Sequence, residues 1–298
     1  MQQNPVPEFT TKRSRPQLTD SARPATFDVA TLDEHGAPGT AAIAGEHPLT
    51  VYVDKREILT LMTLGAAPEA LVLGYLRNQR LVESIEEIVA VQVDWQVNAA
   101  SVYTKNGLID LDEKMAHRTK TTGCGSGTVF GDLMADIDDV NLPLDVRLKQ
   151  STLYALSEQI RKYETIYKQA GAVHGCALAS NTDNGSELLY FVEDVGRHNA
   201  VDAIAGMMWL DGVDGGDKIF YTTGRLTSEM VIKAAQMGVP FLISRSGLTQ
   251  MGYEIAKQVG MTMIGRAVNK RFLLFNDVGR FVFDAPVTRD GLRVTGFV

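Results

Sequence analysis

The clearest pattern in the chain is an alternation of apolar and polar side chains between residues 89 and 97. Successive side chains of a β-strand point to opposite faces, so this alternation predicts a strand with one face in the core and the other in water. The apolar positions are Val89, Val91, Val93, Trp95 and Val97, and the positions between them are Ala90, Gln92, Asp94 and Gln96.

Shorter patterns on either side of this strand predict a β-rich α+β region. Alternating apolar residues over 49–62 flank a polar turn, which is typical of a hairpin. Pro68 is placed to open a helix that runs to about Gln79, because proline is tolerated in a first turn. Residues 99–113 predict another strand and a turn. We assign these elements to a smaller N-terminal domain over residues 27–140.

A longer apolar stripe at helical spacing predicts one helix over residues 148–169, ended by Gly171. Such a stripe buries one face of a helix, so it indicates core packing and not a cofactor site. Its members are Leu153, Leu156, Ile160, Tyr163, Ile166 and Tyr167.

The second half of the chain alternates between strand and helix patterns. Turn residues over 181–185 lie between two apolar runs, which predicts a hairpin. The alternation that follows predicts an α/β domain over residues 141–298, with helices on the faces of a mixed, largely parallel sheet. The predicted strands cover 173–179, 188–192, 218–222, 239–243 and 261–264, with strand-like alternation again from 271, and the predicted helices cover 198–209, 227–237 and 249–259.

Composition and charge narrow the class of protein. The 298 residues are 45% hydrophobic and 22% charged, which is ordinary for a globular protein. A net charge of -7 disfavours a general role on nucleic acid or on an anionic membrane. No apolar run is long enough to span a bilayer, and the N-terminus lacks the apolar core of a secretory signal, so we expect a cytoplasmic protein. Residues 1–26 are polar and rich in proline, which predicts a disordered tail.

Cys124 is the strongest candidate for chemistry. It stands between glycines in the segment 121–128, where the backbone can approach a partner closely. His117, Arg118 and Lys120 lie just upstream and would lower the pKa of a nearby thiol. The alternative is a small buried cysteine at a turn, which is the commoner environment for this residue. The glycines and hydroxyl groups around Cys124 favour a reactive thiol on a loop.

Three predicted strand-to-helix junctions each place an arginine beside a glycine or a hydroxyl residue. Ligands of open α/β sheets gather at such junctions, where helix N-termini attract anions and arginine matches phosphate oxygens. At any single junction, an ion pair with a carboxylate such as Glu193 or Glu229 is an equally good explanation. Three junctions on one edge favour a pocket for a pyrophosphate or polyphosphate, although the chain lacks the Walker and G-x-G-x-x-G motifs. The candidate residues are Arg197 and His198, Gly224 and Arg225, and Ser244 and Arg245.

Two further residues are open to more than one interpretation. His198 can act as an acid, a base or a phosphate donor, but a histidine at a helix start is as often a cap or a packing residue. Cys176 lies among small apolar residues on a predicted buried strand, where cysteine is usually inert. Two cysteines are too few for a disulfide scaffold or a cysteine-rich zinc site, so we expect no metal ligated by the protein.

Together, these motifs resemble the FdhD family of sulfur carriers, and the resemblance runs from about residue 45 to 290. The motifs that carry it are Thr122-Gly123-Cys124-Gly125, the block from Glu193 to Asp202, Thr223-Gly224-Arg225 with Ser228-Glu229-Met230, and Ser244-Arg245-Ser246.

The resemblance implies a sulfurtransferase that works as a persulfide relay. In the family, a cysteine desulfurase loads sulfur onto a cysteine. The protein passes it to a molybdenum or tungsten bis(pyranopterin guanine dinucleotide) cofactor, Mo-bis-MGD, which formate dehydrogenase requires. The resemblance also implies an apo-formate dehydrogenase partner, a cytoplasmic homodimer and a three-layer core similar to cytidine deaminases without their zinc chemistry. The pyrophosphates of this cofactor agree with the ligand class that the arginine junctions predict.

Residue by residue, Cys124 matches the first cysteine of the family's C-G-x-C pattern, the persulfide carrier. The second cysteine of the pattern is Gly127 here, which fits a relay with one cysteine and no resolving thiol. The resemblance adds cofactor contacts near the C-terminus, in a segment that would otherwise indicate an ordinary strand. That segment is Phe272, Leu273, Leu274, Phe275, Asn276 and Asp277.

The sequence leaves two rival functions open. The first is a non-catalytic chaperone that binds the molybdenum cofactor and inserts it into apo-formate dehydrogenase, with Cys124 only gripping the metal or a partner. The second is a zinc-dependent base deaminase, which the fold similarity alone suggests. That chemistry needs an H-x-E and a P-C-x-x-C motif, and the sequence contains neither.

Overall fold

The computed structural model describes residues 15–107, 137, 140–163, 165–183 and 185–285. Across this part of the chain the strands form two main sheets and two strand pairs. The strands are β1 (Gln17–Leu18), β2 (Thr26–Leu32), β3 (Pro38–Ala44), β4 (His47–Val53), β5 (Arg56–Thr63), β6 (Ile88–Asp94), β7 (Ala99–Thr104), β8 (Leu148–Lys149), β9 (His174–Ala179), β10 (Leu188–Asp194), β11 (Ile219–Thr222), β12 (Phe241–Ser244), β13 (Thr262–Val268), β14 (Arg271–Asn276) and β15 (Phe281–Val282). The helices are α1 (Pro68–Asn78), α2 (Gln150–Tyr163), α3 (Ile166–Ala170), α4 (Arg197–Asp211), α5 (Ser228–Gln236) and α6 (Gln250–Gln258).

The N-terminal half builds a five-stranded sheet in the order β1-β6-β7-β4-β5. The predicted hairpin over 49–62 is confirmed as the antiparallel pair β4–β5. Asp54 and Lys55 turn between these strands with φ of 47° and 73°, the left-handed conformation that a tight hairpin turn requires. The helix predicted from Pro68 is also confirmed, with proline in its first turn.

The strand predicted over 89–97 is shorter than predicted, and not all of the side chains predicted to face the core do so. β6 ends at Asp94, and a register shift between Ile88 and Ala90 turns Val89 outward. Val91 and Val93 are buried as predicted, whereas Val89 and Val97 are exposed. A register shift moves the side chains that follow it to the opposite face of the sheet. The alternation of residues in the sequence does not show where such a shift occurs.

Residues 15–26 are ordered, which corrects the predicted disordered tail for this part of the segment. β1 pairs in parallel with β6. Just after it, the Thr19 hydroxyl donates to Glu69 and accepts from the amide of Val93. The Trp95 ring nitrogen donates to the carbonyl of Ser21.

The C-terminal half is built on a six-stranded sheet in the order β10-β9-β11-β12-β13-β14. The predicted hairpin across 181–185 is confirmed as the antiparallel pair β9–β10. Only β11–β12 and β12–β13 are parallel pairs, whereas the other three are antiparallel. The fold is therefore α/β with a mixed sheet, as predicted, but the prediction that most of its strand pairs are parallel is wrong. The parallel part is confined to the strands joined by helices, because only a crossover helix lets consecutive strands run the same way.

Helices cover both faces of this sheet and give two apolar cores. One face packs on α4, α5 and α6, and its core continues through α1 into the five-stranded sheet. The other face packs on α2, together with β8 and β15. The alternation of β11 illustrates the division, because Phe220 faces the first core while Ile219 and Tyr221 face the second.

Helices α1 and α4 join the two halves through a very close contact. A Cβ at Gly74 would lie 1.6 Å from the carbonyl oxygen of Asp202, and one at Gly206 would lie 1.9 Å from that of Ala70. Both positions therefore require glycine, since no side-chain carbon fits between the two backbones.

The helix predicted over 148–169 is two helices, α2 and α3. Leu153, Leu156 and Ile160 are buried as predicted, but Tyr163 and Tyr167 are exposed. The carboxylate of Glu193 accepts hydrogen bonds from the backbone amides of Thr165, Ile166 and Tyr167, at 3.2, 3.0 and 3.0 Å. This carboxylate from another element caps the start of a new helix.

Candidate functional site

The three arginine junctions lie on one edge of the six-stranded sheet. Because β9 is antiparallel to both β10 and β11, its first residue, His174, lies at the same edge as the last residues of those two strands. β12 is parallel to β11, so its last residue, Ser244, pairs with Thr222 at that edge. Arg197 is the first residue of α4, just after β10, and the loops that follow β11 and β12 carry Arg225 and Arg245.

Hydrogen bonds tie these two loops together. The Ser244 hydroxyl is fully buried, donates to the carbonyl of Gly224 at 2.6 Å and accepts from the amide of Ser246 at 2.8 Å. The amide of Arg245 donates to the carbonyl of Thr222 at 3.1 Å. Since protein atoms occupy both the donor and an acceptor of the Ser244 hydroxyl, this side chain positions the loops that carry Arg225 and Arg245.

Gly224 lies directly against the side chain of Arg197. A Cβ at Gly224 would lie 3.0 Å from Arg197 Cδ and 3.2 Å from its Cβ. The Nε atom of Arg197 is buried and has no hydrogen-bond partner among the described residues. The guanidinium group therefore has a donor left for a ligand.

His174 shows that the three arginines converge. Burial lowers the pKa of this histidine, and the charges of Arg197, Arg225 and Arg245 lower it further. All three cations therefore lie near enough to this ring to act on it, and their charges add at one edge of the sheet.

The carboxylates that offered an alternative explanation for these arginines have other partners. Burial raises the pKa of Glu229, and the charge of Arg197 also acts on this carboxylate in the opposite direction. Glu193 caps α3, as described above. Glu229 lies 3.6 Å from Lys233 and 3.5 Å from His198. Arg245 also stacks on an aromatic ring, with its Cζ 5.3 Å from the centre of Tyr167. Tyr167 therefore has an exposed position at the site and not the core position that its spacing predicted.

His198 is deeply buried at the start of α4. Its Nε2 faces Glu229, and its Nδ1 has no hydrogen-bond partner among the described residues. Burial lowers the pKa of His198 to about 2, with further contributions from Lys233, Arg197 and His174. The ring is therefore neutral near pH 7 and does not serve as a cationic phosphate donor.

Asp194 anchors the first junction, a role that the sequence did not reveal. One carboxylate oxygen accepts from the Thr63 hydroxyl at 2.6 Å and from the Leu64 amide at 3.0 Å. The other accepts from the Gly196 amide and from the Asn199 side chain, both at 2.9 Å. One side chain thus fixes the start of α4 to the five-stranded sheet. An aspartate two residues before a helix-capping glycine was the only local sign of this role.

A small cavity opens beside this junction. It has a volume of about 300 Å³ and lies between β5 and the start of α4. His174 lines it as well as belonging to the arginine edge, so the cavity and that edge are contiguous. The lining residues are Glu46, Thr60, Leu61, Met62, His174, Val195, Gly196, Arg197, His198 and Asn199.

The C-terminal segment from 272 to 277 runs away from the end of the sheet that carries the arginine loops. Leu273 pairs with Gly265, and the amide of the next residue, Arg266, donates to the carbonyl of Ser246 in the loop after β12. β14 is antiparallel to β13, so Asn276 pairs with Met263 at the opposite edge of the sheet. Asn276 donates to the carbonyl of Met261, and Asp277 accepts from the Thr262 hydroxyl. At the near end of the strand, the ring of Phe272 packs on Tyr154 and Phe281. Leu274 and Phe275 pack on opposite faces of the sheet and Leu273 is exposed.

The structure describes only one of the two cysteines. Cys124 lies outside the described residues, so its role stays a prediction. Cys176 is fully buried on β9, and burial raises the pKa of its thiol to about 12. The expectation that Cys176 is an inert core residue is confirmed.

The residues that the structure describes contain neither a metal-ligating cluster nor a membrane-spanning helix. Within them, His, Cys, Asp and Glu side chains form no group of three or more that could hold a metal ion. The helices of the same residues include none that is long and apolar enough to cross a bilayer.

The structure is a mixed α/β protein with three arginines and a helix N-terminus at one edge of its six-stranded sheet. The chain belongs to the FdhD/NarQ family, whose model matches residues 44–282. This confirms the resemblance inferred from the motifs.

Several relatives share most of their length with this chain. A sulfur carrier protein FdhD from Listeria innocua is 30% identical over 228 residues, which are 76% of this chain and 85% of the relative. The protein of the same name from Wolinella succinogenes is 26% identical over 252 residues, 84% of this chain and 85% of the relative. A crystal structure of a protein assigned as a formate dehydrogenase accessory protein from Desulfotalea psychrophila matches with a TM-score of 0.67 and 27% identity. It covers 86% of this chain and 98% of that one.

Proposed function

We propose that this protein is a sulfur carrier in the maturation of formate dehydrogenase. It takes sulfur from the persulfide of a cysteine desulfurase on Cys124 and delivers it to the bis(pyranopterin guanine dinucleotide) cofactor, its substrate. The names of the relatives support the sulfur carrier role. The proposal also takes the protein to be a cytoplasmic homodimer that meets apo-formate dehydrogenase, as the resemblance implies.

The loading step is a thiol exchange without net oxidation. The Cys124 thiolate attacks the terminal sulfur of the desulfurase persulfide and forms a new S–S bond, while the old S–S bond breaks and the desulfurase thiolate leaves. In delivery, the S–S bond on Cys124 breaks and the carrier returns to the thiolate. The two electrons that convert the transferred sulfur to sulfide come from the reduced metal ion of the cofactor. One cysteine suffices for both steps, in agreement with Gly127 at the second position of the motif.

The observation that supports cofactor binding is the convergence of Arg197, Arg225 and Arg245 around His174 at one edge of the sheet. Pyrophosphate groups are the part of the cofactor that such an edge suits, because guanidinium groups bind phosphate oxygens in pairs. A cofactor bound at the arginine edge stays on the same protein that carries the sulfur. The sulfur transfer then needs no second encounter between reactants.

The rival chaperone function predicts a different defect in the client enzyme. We would purify formate dehydrogenase from cells that carry either the wild-type chain or Cys124→Ala, and measure metal, guanine nucleotide and activity. A carrier predicts that the variant yields enzyme with full metal and nucleotide content but without activity. Enzyme that lacks the cofactor would support the chaperone instead, and fully active enzyme would contradict both.

A further inference from the structure

A wide groove lies between helix α2 and the hairpin of β13 and β14, on the face of the six-stranded sheet that packs on α2 and not on α4. Its volume is about 1260 Å³, above the range of roughly 300–1,000 Å³ that is usual for small-molecule pockets. Most of the residues that line it are exposed, so it is an open groove and not a closed cavity. These features suit a length of polypeptide better than a small ligand.

One wall of the groove is formed by the edge strand of the sheet. β14 is the last strand in the sheet order, and among the described residues it pairs only with β13. One row of its backbone N–H and C=O groups therefore has no strand partner there. Phe272 and Leu273 of this strand line the groove, and Leu273 is exposed, as is Val268 of β13 beside it. An extended segment of another chain can add to such an edge as a further strand.

The groove is basic although the chain as a whole is acidic. Four cationic side chains and two carboxylates line it, whereas the net charge of the chain is -7. One of the carboxylates, Asp284, is engaged by the amide and the hydroxyl of Ser151, at 2.8 and 2.6 Å. The cations Arg266, Lys270 and Arg271 form no ion pair with a carboxylate of the described residues. The charge of the groove is therefore complementary to an acidic partner.

The backbone at Arg266 is strained. Its φ is 51°, in the left-handed region that residues other than glycine rarely adopt. The residue lies where the register between β13 and β14 shifts, between Gly265 and Val268. A bulge re-aims a side chain, and strain of this kind is concentrated at functional sites. Here the bulge presents an exposed arginine to the groove.

We propose that this groove is a docking site for an acidic, extended segment of a partner protein. The segment pairs with the free edge of β14 and places its carboxylates against Arg266, Lys270 and Arg271. Main-chain hydrogen bonds with the edge strand supply affinity that does not depend on sequence, and the cations select the partner by charge. This inference does not depend on the sulfur carrier function.

The charges disfavour three other occupants. A second copy of β14 would bring the same cations face to face, which protects a sheet edge against pairing with itself. Residues 286–298 of the chain itself carry Arg289 and Arg293 but only one acidic residue, Asp290, so they do not neutralise the groove. The net charge of -7 disfavours nucleic acid.

The test measures peptide binding to the full-length protein by fluorescence anisotropy. A labelled, end-capped peptide of alternating glutamate and valine should bind about tenfold or more tightly than one of alternating lysine and valine, and its affinity should fall as salt is added. The acidic peptide N-methylated at every residue keeps its side chains but cannot donate hydrogen bonds to β14. It should bind about tenfold or more weakly than the unmethylated form. Equal binding of the three peptides, or no binding of the acidic peptide, would overturn the proposal.

Variants locate the site. Arg271→Glu reverses an exposed charge of the groove and should weaken binding of the acidic peptide roughly fivefold or more. Arg266→Asn removes another charge but keeps a residue that tolerates the left-handed conformation, and it should weaken binding as well. The matched control is Lys105→Glu, at an exposed position after β7, which makes the same change in net charge and should leave the affinity unchanged. An Arg271→Glu protein that is folded and binds the acidic peptide as the wild type does would overturn the proposal.

Competition and sedimentation identify any other occupant. Neither GDP nor a synthetic peptide with the sequence of residues 286–298 should displace the acidic peptide. Displacement by GDP would assign the groove to the cofactor, and displacement by the second peptide would assign it to the chain itself. A single-stranded oligonucleotide that binds more tightly than the acidic peptide would assign it to nucleic acid. Sedimentation velocity should give the same mass for the wild type and Arg271→Glu, and loss of a dimer in the variant would assign it to a second copy. Each of these assignments would overturn the proposal.

Discussion

Gly224 and Arg197 are in contact at the edge of the six-stranded sheet, where a Cβ on the glycine would lie 3.0 Å from Arg197 Cδ. Arg197 begins α4 whereas Gly224 lies in the loop after β11, so the conformation of this arginine depends on the absence of a side chain in a loop distant in sequence. Gly224 is buried and its φ lies outside the left-handed region. Its importance is therefore the space that it leaves for Arg197.

The first prediction is that Gly224→Ala weakens nucleotide binding without unfolding the protein. The added methyl group displaces the flexible side chain of Arg197, and one hydrogen bond to a charged group is lost, about 1.5–3 kcal/mol. The affinities for GDP and ADP should fall by the same factor, roughly tenfold or more. Titration calorimetry measures both affinities, and thermal unfolding shows whether the fold is retained.

The matched control for this prediction is Gly247→Ala in the neighbouring loop. A Cβ at Gly247 would meet no atom within 4 Å, so this variant should bind both nucleotides as the wild-type chain does. Equal effects of the two substitutions would show that the contact with Arg197 is irrelevant.

The second prediction concerns the buried ion pair between Lys233 and Asp202, whose charged atoms are 2.8 Å apart. Lys233→Met leaves the carboxylate of Asp202 buried without its cation, which should lower the free energy of unfolding by about 3–5 kcal/mol. The exposed pair of Arg15 and Asp211 is the comparison, because Arg15→Met should cost at most about 1 kcal/mol. Urea unfolding measures both, and losses of similar size would refute the distinction.

The third prediction is a dependence of stability on pH that His198 causes. Burial lowers the pKa of His198 in the folded state to about 2, whereas the unfolded chain has the ordinary value near 6.5. Below about pH 6.5 the unfolded state therefore binds a proton that the folded state excludes, and the stability falls as the pH falls. From pH 7 to pH 5 the loss from His198 should reach about 2 kcal/mol, which follows from about 1.4 kcal/mol per pH unit.

Urea unfolding of His198→Phe at the same pH values isolates this contribution. Burial raises the pKa values of Asp194, Asp202 and Glu229, which favours their protonated forms in the folded state and acts in the opposite direction. Those groups are present in both proteins, so the difference in slope reports His198. Parallel pH profiles for the two proteins would show that the histidine is not held neutral.

The fourth prediction tests the contact between α1 and α4. Gly206→Ala places a Cβ 1.9 Å from the carbonyl oxygen of Ala70, which forces the two helices apart. The free energy of unfolding should fall by about 3 kcal/mol, the upper part of the range for overpacking, even though alanine is the better helix former. Gly247→Ala again serves as the control, and a Gly206→Ala protein as stable as the wild type would contradict the helix packing described here.

The sequence predicted local elements well where each one carried its own pattern. The hairpin of β9 and β10 has turn residues between two apolar runs, and the strand–helix alternation after it places Arg197, Arg225 and Arg245 at strand ends. The prediction that these arginines share one edge followed from the general rule for α/β sheets. In the structure, Arg197 lies at that edge because β9 is antiparallel to both β10 and β11.

The features that escaped prediction depend on residues far apart in the chain. The break between α2 and α3 requires the carboxylate of Glu193, which the helical spacing of Tyr163 and Tyr167 cannot reveal. The two-stranded pair of β2 and β3 has few buried side chains and therefore shows no apolar alternation. His198 was predicted as a site residue, but the sequence does not reveal that its partner is Glu229 of another helix.

The most direct test of the central claim is the intact mass of the protein after incubation with a cysteine desulfurase and L-cysteine. The account predicts a gain of one sulfur atom that a reductant removes and that Cys124→Ala abolishes. Cys176→Ala should gain the atom as the wild type does, because the Cys176 thiol is fully buried and has a pKa raised to about 12. A wild-type protein with unchanged mass, or a gain that persists in Cys124→Ala, would contradict the account.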